Sequence, residues 1–125
     1  MPKPAVLVCD DEESLRAAIR LVLERDYALH FAPDGATALQ QLDQQPIDLV
    51  LLDIKLPQTD GLEILKTIMA RPRPPRVVML TAYQSVELAQ RATDAGAADY
   101  VTKPFERTTL LSTVQRVLAQ RGGAE

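Results

Sequence analysis

Tryptophan is absent from this chain, and cysteine and histidine occur once each; three tyrosines and two phenylalanines are the only aromatics. A single thiol, Cys9, closes no internal disulfide, and its place in an apolar run marks it as a small buried hydrophobe in a reducing compartment. With so few rings the core must be aliphatic. Long hydrophobic runs are also missing. Met1-Pro-Lys-Pro4 leads into only five apolar residues, too few for a signal peptide or a membrane span, so a cytoplasmic location is expected. Basic excess is missing as well: the formal net charge of −3 gives no reason to expect direct binding of nucleic acid or an anionic membrane. The one basic tract, Arg71-Pro-Arg-Pro-Pro-Arg76, reads as a stiff, solvated loop.

What the chain does have is the composition of an ordinary folded domain. In 125 residues, 46% hydrophobic and 25% charged, it is long enough for one core and too apolar for disorder. A single domain over 1–125 is expected, with its core at about 4–121.

Five short apolar runs punctuate the sequence: Ala5–Cys9, Tyr27–Ala32, Leu49–Leu52, Val77–Leu80 and Ala98–Val101. Four are nearly continuous, as in strands covered on both faces. In Tyr27-Ala-Leu-His-Phe31 larger apolar residues alternate with Ala28 and His30, which suits a sheet edge and makes His30 a partly solvated edge residue. Helical patterns separate the runs. Leu15, Ala18, Ile19, Val22 and Leu23 form one stripe, and Leu110, Leu111, Val114, Val117 and Leu118 another, in a helix starting near Arg107. Weaker signals cover Ala36–Leu42 after Pro33-Asp34-Gly35, Leu62–Met69 after Asp60-Gly61, and Val86–Asp94 between a candidate cap at Ser85 and a stop at Gly96. Gly122-Gly123 ends the last helix or begins a linker. Five alternations of strand and helix call for an α/β fold, a doubly wound five-stranded parallel sheet of order 2-1-3-4-5 flanked by five helices.

Four of the five runs end in chemistry-bearing residues: Asp10 and Asp11, Asp53, Thr81, and shortly after the fifth, Lys103. A parallel sheet lines up all its carboxyl ends, and ligands bind there where the winding reverses. Each residue alone has a structural explanation. Asp10 fits a helix N-cap with Glu13 in the capping-box position, Thr81 fits a cap, and Lys103 fits a solvated surface lysine. Gathered together, the acids repel: two unit charges about 4 Å apart cost about 4 kcal/mol at an effective dielectric of 20. A divalent cation offsets that, and oxygen-only ligands favour Mg²⁺, with Mn²⁺ as a substitute, over Zn²⁺. A carboxylate, a metal, a lysine and a hydroxyl in one crevice meet the needs of phosphoryl transfer onto Asp53.

Over essentially its whole length the chain resembles the receiver domain of two-component response regulators, a resemblance carried by Val8-Cys-Asp-Asp-Glu12, Leu51-Leu-Asp-Ile-Lys-Leu-Pro57, Thr59-Asp-Gly-Leu-Glu63, Met79-Leu-Thr-Ala82, Gly96-Ala-Ala-Asp-Tyr100 and Thr102-Lys-Pro-Phe105. The resemblance implies a phosphorylation switch rather than a conventional enzyme. In it Asp53 accepts a phosphoryl group from a sensor histidine kinase, a phosphotransfer protein or a small donor, and Asp10, Asp11, Asp53 and the Lys55 carbonyl bind Mg²⁺. Thr81 and Lys103 contact the phosphoryl group, and Tyr100 is the aromatic that turns inward as Thr81 moves. It further implies a cis Lys103-Pro104 bond. The fourth helix, fifth strand and fifth helix become the face read by an output partner, an attached effector or a second copy in a dimer. Lys55 and Tyr83 occupy positions that vary in such domains and influence how long the phosphoryl group survives. A hydrolase using an aspartyl-phosphate intermediate would resemble a motif with an acid where Lys55 stands. A flavodoxin-like cofactor module would need a phosphate-cradling loop where Asp10-Asp11 stand.

Overall fold

The computed structural model describes residues 2–82 and 85–120. Elements follow in the order β1 (Ala5–Cys9), α1 (Glu13–Leu23), β2 (Ala28–Ala32), α2 (Gly35–Gln44), β3 (Leu49–Asp53), β4 (Lys55–Leu56), β5 (Thr59–Asp60), α3 (Gly61–Met69), β6 (Arg76–Thr81), α4 (Val86–Asp94), β7 (Asp99–Thr102) and α5 (Arg107–Gln120). The main sheet is five-stranded, in the order β2-β1-β3-β6-β7, with every pairing parallel. Numbered among themselves, its strands run 2-1-3-4-5, as expected.

The near-continuous apolar strands are explained by two cores, one on each face of the sheet. Leu7, Cys9, Val50, Leu52, Val77 and Met79 point into one, where they meet Ala38 of α2, Leu65 and Ile68 of α3 and Ala92 of α4. Their sequence neighbours Val6, Val8, Leu49, Leu51, Val78 and Leu80 point the other way, against Ile19 and Leu23 of α1 and Leu110, Val114 and Val117 of α5. Alternate side chains therefore serve opposite cores, so once past Arg76, which opens β6, the central strands carry no polar residue until they end. In β2, Leu29, His30 and Phe31 are only half-buried, in keeping with its edge position. Ala18 departs from the expected α1 stripe, since it is exposed. The aliphatic core buries the Cys9 thiol completely, and burial followed by the field of Asp10 pushes its pKa up to about 12.

Helix ends follow local chemistry. Asp34, Asp60 and Ser85 each accept a hydrogen bond from a backbone amide of the helix they begin, those of Thr37, Leu62 and Leu88 at 2.7, 2.9 and 3.2 Å. Gly96, with φ 109°, closes α4: its amide donates to Thr93 and that of Ala97 to Ala92, the paired bonds of a Schellman turn. The alternative reading of Asp10 as the cap of α1 does not hold. Glu12 stands at the N-cap without a side-chain bond to the helix, and Asp10 Oδ1 accepts instead from the Glu12 amide at 2.9 Å. The pair β4 and β5, antiparallel around Pro57-Gln58, was not expected, because two-residue strands carry no periodicity. The tract from Arg71 is a loop only as far as residue 75: Arg71 pairs with Asp43 at 2.5 Å and Arg73 is exposed, as expected of a solvated segment, whereas Arg76 opens β6. Among the described residues no helix is long and apolar enough to cross a membrane. The Gly122-Gly123 ending lies outside the described residues.

The Thr37 amide, and next its hydroxyl, hold the Asp34 carboxyl below the usual carboxylate range. A lowered folded-state value means that the cap stabilises the fold above the unfolded carboxyl pKa and loses that effect as pH falls through the lowered one. Asp34→Ala is expected to cost about 1 kcal/mol in urea unfolding at pH 7. The difference from the parent protein should shrink below about pH 4. An equal gap at pH 7 and pH 3 would contradict the cap.

Candidate functional site

The polar residues begin where the strands of the sheet run out. Asp10 follows β1, Asp53 is the last residue of β3, Thr81 the last of β6, and Lys103 follows β7 directly. The register aligns them: Cys9 pairs with Leu52, Asp53 with Leu80, and Thr81 with Thr102. Two further backbone bonds extend the ladder past its ends, from the Ile54 amide to the Leu80 carbonyl at 3.1 Å and from the Lys103 amide to the Thr81 carbonyl at 2.7 Å. The Lys103-Pro104 peptide is cis. Distant stretches of chain therefore share one crevice at the carboxyl edge of β1, β3 and β6, where the winding reverses.

Asp10 is fully buried, Asp53 is 5% exposed, Thr81 is 1% exposed, and Asp11 is exposed. Lys103 Nζ lies 2.8 Å from Asp10 Oδ2 and 3.2 Å from Asp53 Oδ2, with Glu12 Oε1 farther off at 3.9 Å. Asp53 Oδ1 accepts from the Lys55 amide at 3.2 Å. Burial raises the Asp53 pKa above the ordinary carboxylate value; the Lys103 ammonium works against this and the Asp10 charge with it. For Lys103 burial disfavours the charge, but the hydrogen bond to Asp10 and the fields of Asp53 and Asp10 outweigh it, and its pKa ends above the usual lysine value.

Asp10, Asp11 and Asp53 each bring one carboxylate oxygen within 4.8 Å of the others. Facing them one ammonium, Lys103, is in contact, so the carboxylates outnumber the cation that meets them. An all-oxygen donor set with surplus negative charge fits a hard divalent cation such as Mg²⁺. The cluster borders a cleft of about 450 Å³ lined by Asp11, Glu12, Asp53, Lys55, Leu56, Pro57, Ala82 and Lys103. Of the residues expected at the site, Asp10, Asp11, Asp53 and Lys103 converge, Lys55 lines the same cleft, and Thr81 stands at the adjoining strand end. Tyr100 lies apart, half-buried in β7 beside the core that includes Leu88 of α4. Tyr83 lies outside the described residues.

Two residues that sequence reasoning did not assign to the site complete the geometry. The Gly61 amide donates to the Ile54 carbonyl at 2.6 Å, and a Cβ at Gly61 would stand 2.1 Å from the Asp53 carbonyl oxygen and 2.6 Å from Ile54 Cα. Only glycine lets the start of α3 approach the backbone carrying Asp53 this closely. Arg16 of α1 donates through Nη1 to the Asp10 carbonyl at 2.7 Å.

A doubly wound parallel α/β domain with an acidic, lysine-bridged pocket at its switch point is the class that fold and site define. A family model described as the response regulator receiver domain matches residues 6–115, and the chain belongs to that family. Receiver domains are phosphorylation-dependent signalling switches rather than conventional enzymes; they are phosphorylated by histidine kinases and generally bind Mg²⁺ at an acidic pocket. The transcriptional regulatory protein YkoG of Bacillus subtilis is 36% identical over 98% of this chain, and the regulatory protein AtoC of Escherichia coli 37% identical over 90%. The chain spans only 54% and 25% of those two proteins, whose remainders lie beyond the likeness. Among solved structures, the chemotaxis protein CheY4 of Vibrio cholerae superposes with a TM-score of 0.85 at 31% identity, covering 92% of this chain and 98% of that one. The receiver domain of the Francisella response regulator 1452 superposes at 0.88 with 28% identity, covering 95% and 99%.

Gly61→Ala is expected to destabilise the fold by at least about 2 kcal/mol, because the added methyl meets backbone on both sides rather than a side chain that can turn away. Urea unfolding measures it, and a loss under about 0.5 kcal/mol, within the range of ordinary surface changes, would count against the close approach.

Proposed function

We propose that this chain is a phosphorylation switch whose acceptor is Asp53. The observation that carries the proposal is the placement of its nearly buried carboxylate at the floor of an open cleft, between a fixed ammonium and two further acids. In the reaction an Asp53 oxygen attacks the phosphorus of a phosphohistidine on a sensor kinase or phosphotransfer protein, or of a small phosphodonor. An acyl phosphate forms on Asp53 as the donor bond breaks: phosphorus–nitrogen in phosphohistidine, whose imidazole leaves with a proton from solvent, or phosphorus–oxygen in a small acyl phosphate, whose carboxylate leaves. Asp10, Asp11 and Asp53, with the Lys55 carbonyl, are the residues that would hold Mg²⁺ or Mn²⁺. Bound there, the ion supplies neutralisation of charge on the phosphoryl oxygens.

The side chains of this chain do the rest. Lys103, held in place by Asp10, offers its ammonium to a phosphoryl oxygen, and the Thr81 hydroxyl donates a hydrogen bond to another. Adding a group of about −2 charge draws Thr81 and Lys103 toward Asp53 and shifts the population of the loop after β6. Tyr100 turns inward as Thr81 moves, and the face of α4, β7 and α5 changes. Arg116 of α5 is ion-paired with Asp99 of β7, so the two elements respond together. A partner, an attached output module or a second copy reads that face, with no direct role for nucleic acid or membrane in this domain, and the protein works in the cytoplasm.

Incubation with Mg²⁺ and acetyl phosphate should add one acid-labile phosphoryl mass, and Asp53→Asn should abolish it by intact-mass measurement. Repeated turnover of small phosphate esters would point to a hydrolase instead. The Lys55 side chain at the rim of the cleft adds bulk and charge where water must enter, so the phosphorylated state should outlast a few seconds. A half-life of only a few seconds in Mg²⁺ buffer, followed by phosphate release, would refute that expectation.

A further inference from the structure

The Asp10 residue is tied down at every polar atom. Its amide donates to the Ala32 carbonyl at 3.1 Å, Oδ1 accepts from the Glu12 amide at 2.9 Å, and Oδ2 meets Lys103 Nζ at 2.8 Å. Its carbonyl accepts from Arg16 Nη1 at 2.7 Å, and among the bonds described here this is the one that a side chain makes to the Asp10 backbone. Arg16 is half-buried in the second turn of α1, and one turn later Arg20 lies over the Phe31 ring of the edge strand, 5.5 Å from its centroid. Successive arginines on one face of α1 therefore grip different targets. Arg20 holds the helix to β2, and Arg16 holds the peptide that joins the two adjacent acids.

The Asp10-Asp11 peptide follows directly after β1, and the start of α1 gives it no side-chain cap. Two consecutive carboxylates can serve one ion only if the peptide between them is held in a single orientation, because rotating it carries the second acid away from the first. We propose that Arg16 is a positioning residue of the acidic site: by gripping the Asp10 carbonyl it fixes that peptide so that Asp10 and Asp11 present their oxygens to one divalent cation together with Asp53. The proposal rests on the reading that these three acids bind such a cation. Groups that orient ligands in this indirect way commonly change metal affinity by about tenfold or more when removed.

The test uses Mn²⁺ as the probe, with free ion measured by electron paramagnetic resonance, on the full chain and on Arg16→Met, Arg16→Lys and Arg20→Met. Arg16→Met should raise the Mn²⁺ dissociation constant about tenfold. Arg16→Lys, which keeps a donor on a long stem, should recover part of that loss, and Arg20→Met should leave the constant unchanged. Thermal unfolding of each variant identifies any that fails to fold, and for Arg16→Met the Lys variant then carries the comparison. Equal weakening by Arg16→Met and Arg20→Met would mean that α1 merely needs to be docked, and would overturn the assignment. Unchanged affinity in both Arg16 variants would overturn it too, while leaving the cation site standing. Failure of the parent protein to bind Mn²⁺ at millimolar concentration would instead remove the underlying reading.

Discussion

One ammonium between two buried carboxylates is the interaction around which this molecule is arranged. Asp10 and Asp53 are almost wholly removed from water, and Lys103 meets both. Removing one partner from such a set leaves uncompensated charge in a place water barely reaches, so its members hold one another in position. The set also joins three strand ends that lie far apart in the chain. Asp11 adds another carboxylate at the rim, so the carboxylates of the crevice outnumber the ammonium that faces them.

The rest of the fold exists in a form that makes this gathering inexpensive in conformational freedom. Strands buried on both faces are rigid, and their ends are fixed to the register of the ladder rather than to mobile loops. Polar residues follow immediately after the last apolar position, so each functional side chain is carried by a segment that cannot drift. Gly61 brings α3 down onto the backbone of Asp53, and Gly96 returns the chain after α4 so that β7 can deliver Lys103. Precision at the site is thus a property of the aliphatic cores beneath it.

Burial is unevenly distributed over the described residues. The central strands are buried except at Ala5 and Arg76, the first residues of β1 and β6, whereas α4 buries only Ala92, and Tyr100 is half-exposed in an edge strand. Elements with few buried contacts are the ones whose alternative packings differ least in free energy. Of the five helices α4 buries the fewest residues, and in the chain it lies between the strand that ends at Thr81 and the one that Lys103 follows.

Strand and helix succession, the strand order, the edge position of β2 and the acids, lysine and threonine of the site were all legible in the amino-acid order. They are written in local patterns: apolar runs for strands covered on both faces, helical spacing for amphipathic helices, and chemistry-bearing residues placed where a run stops. Tertiary structure alone decided which neighbours those residues meet. Asp10 was placed in the crevice by its position after β1, but that its carboxylate meets Lys103 directly was decided by assembly of the sheet, which brings the β1 terminus and the residue after β7 together. Arg16 drew no reading from the sequence, because its guanidinium reaches the Asp10 carbonyl only once α1 is packed in place. The short β4–β5 pair and the contact of Gly61 with Asp53 were hidden for the same reason. Periodicity reports which side of an element faces inward, whereas a contact between segments depends on their distance and angle, and these are fixed only by packing the whole.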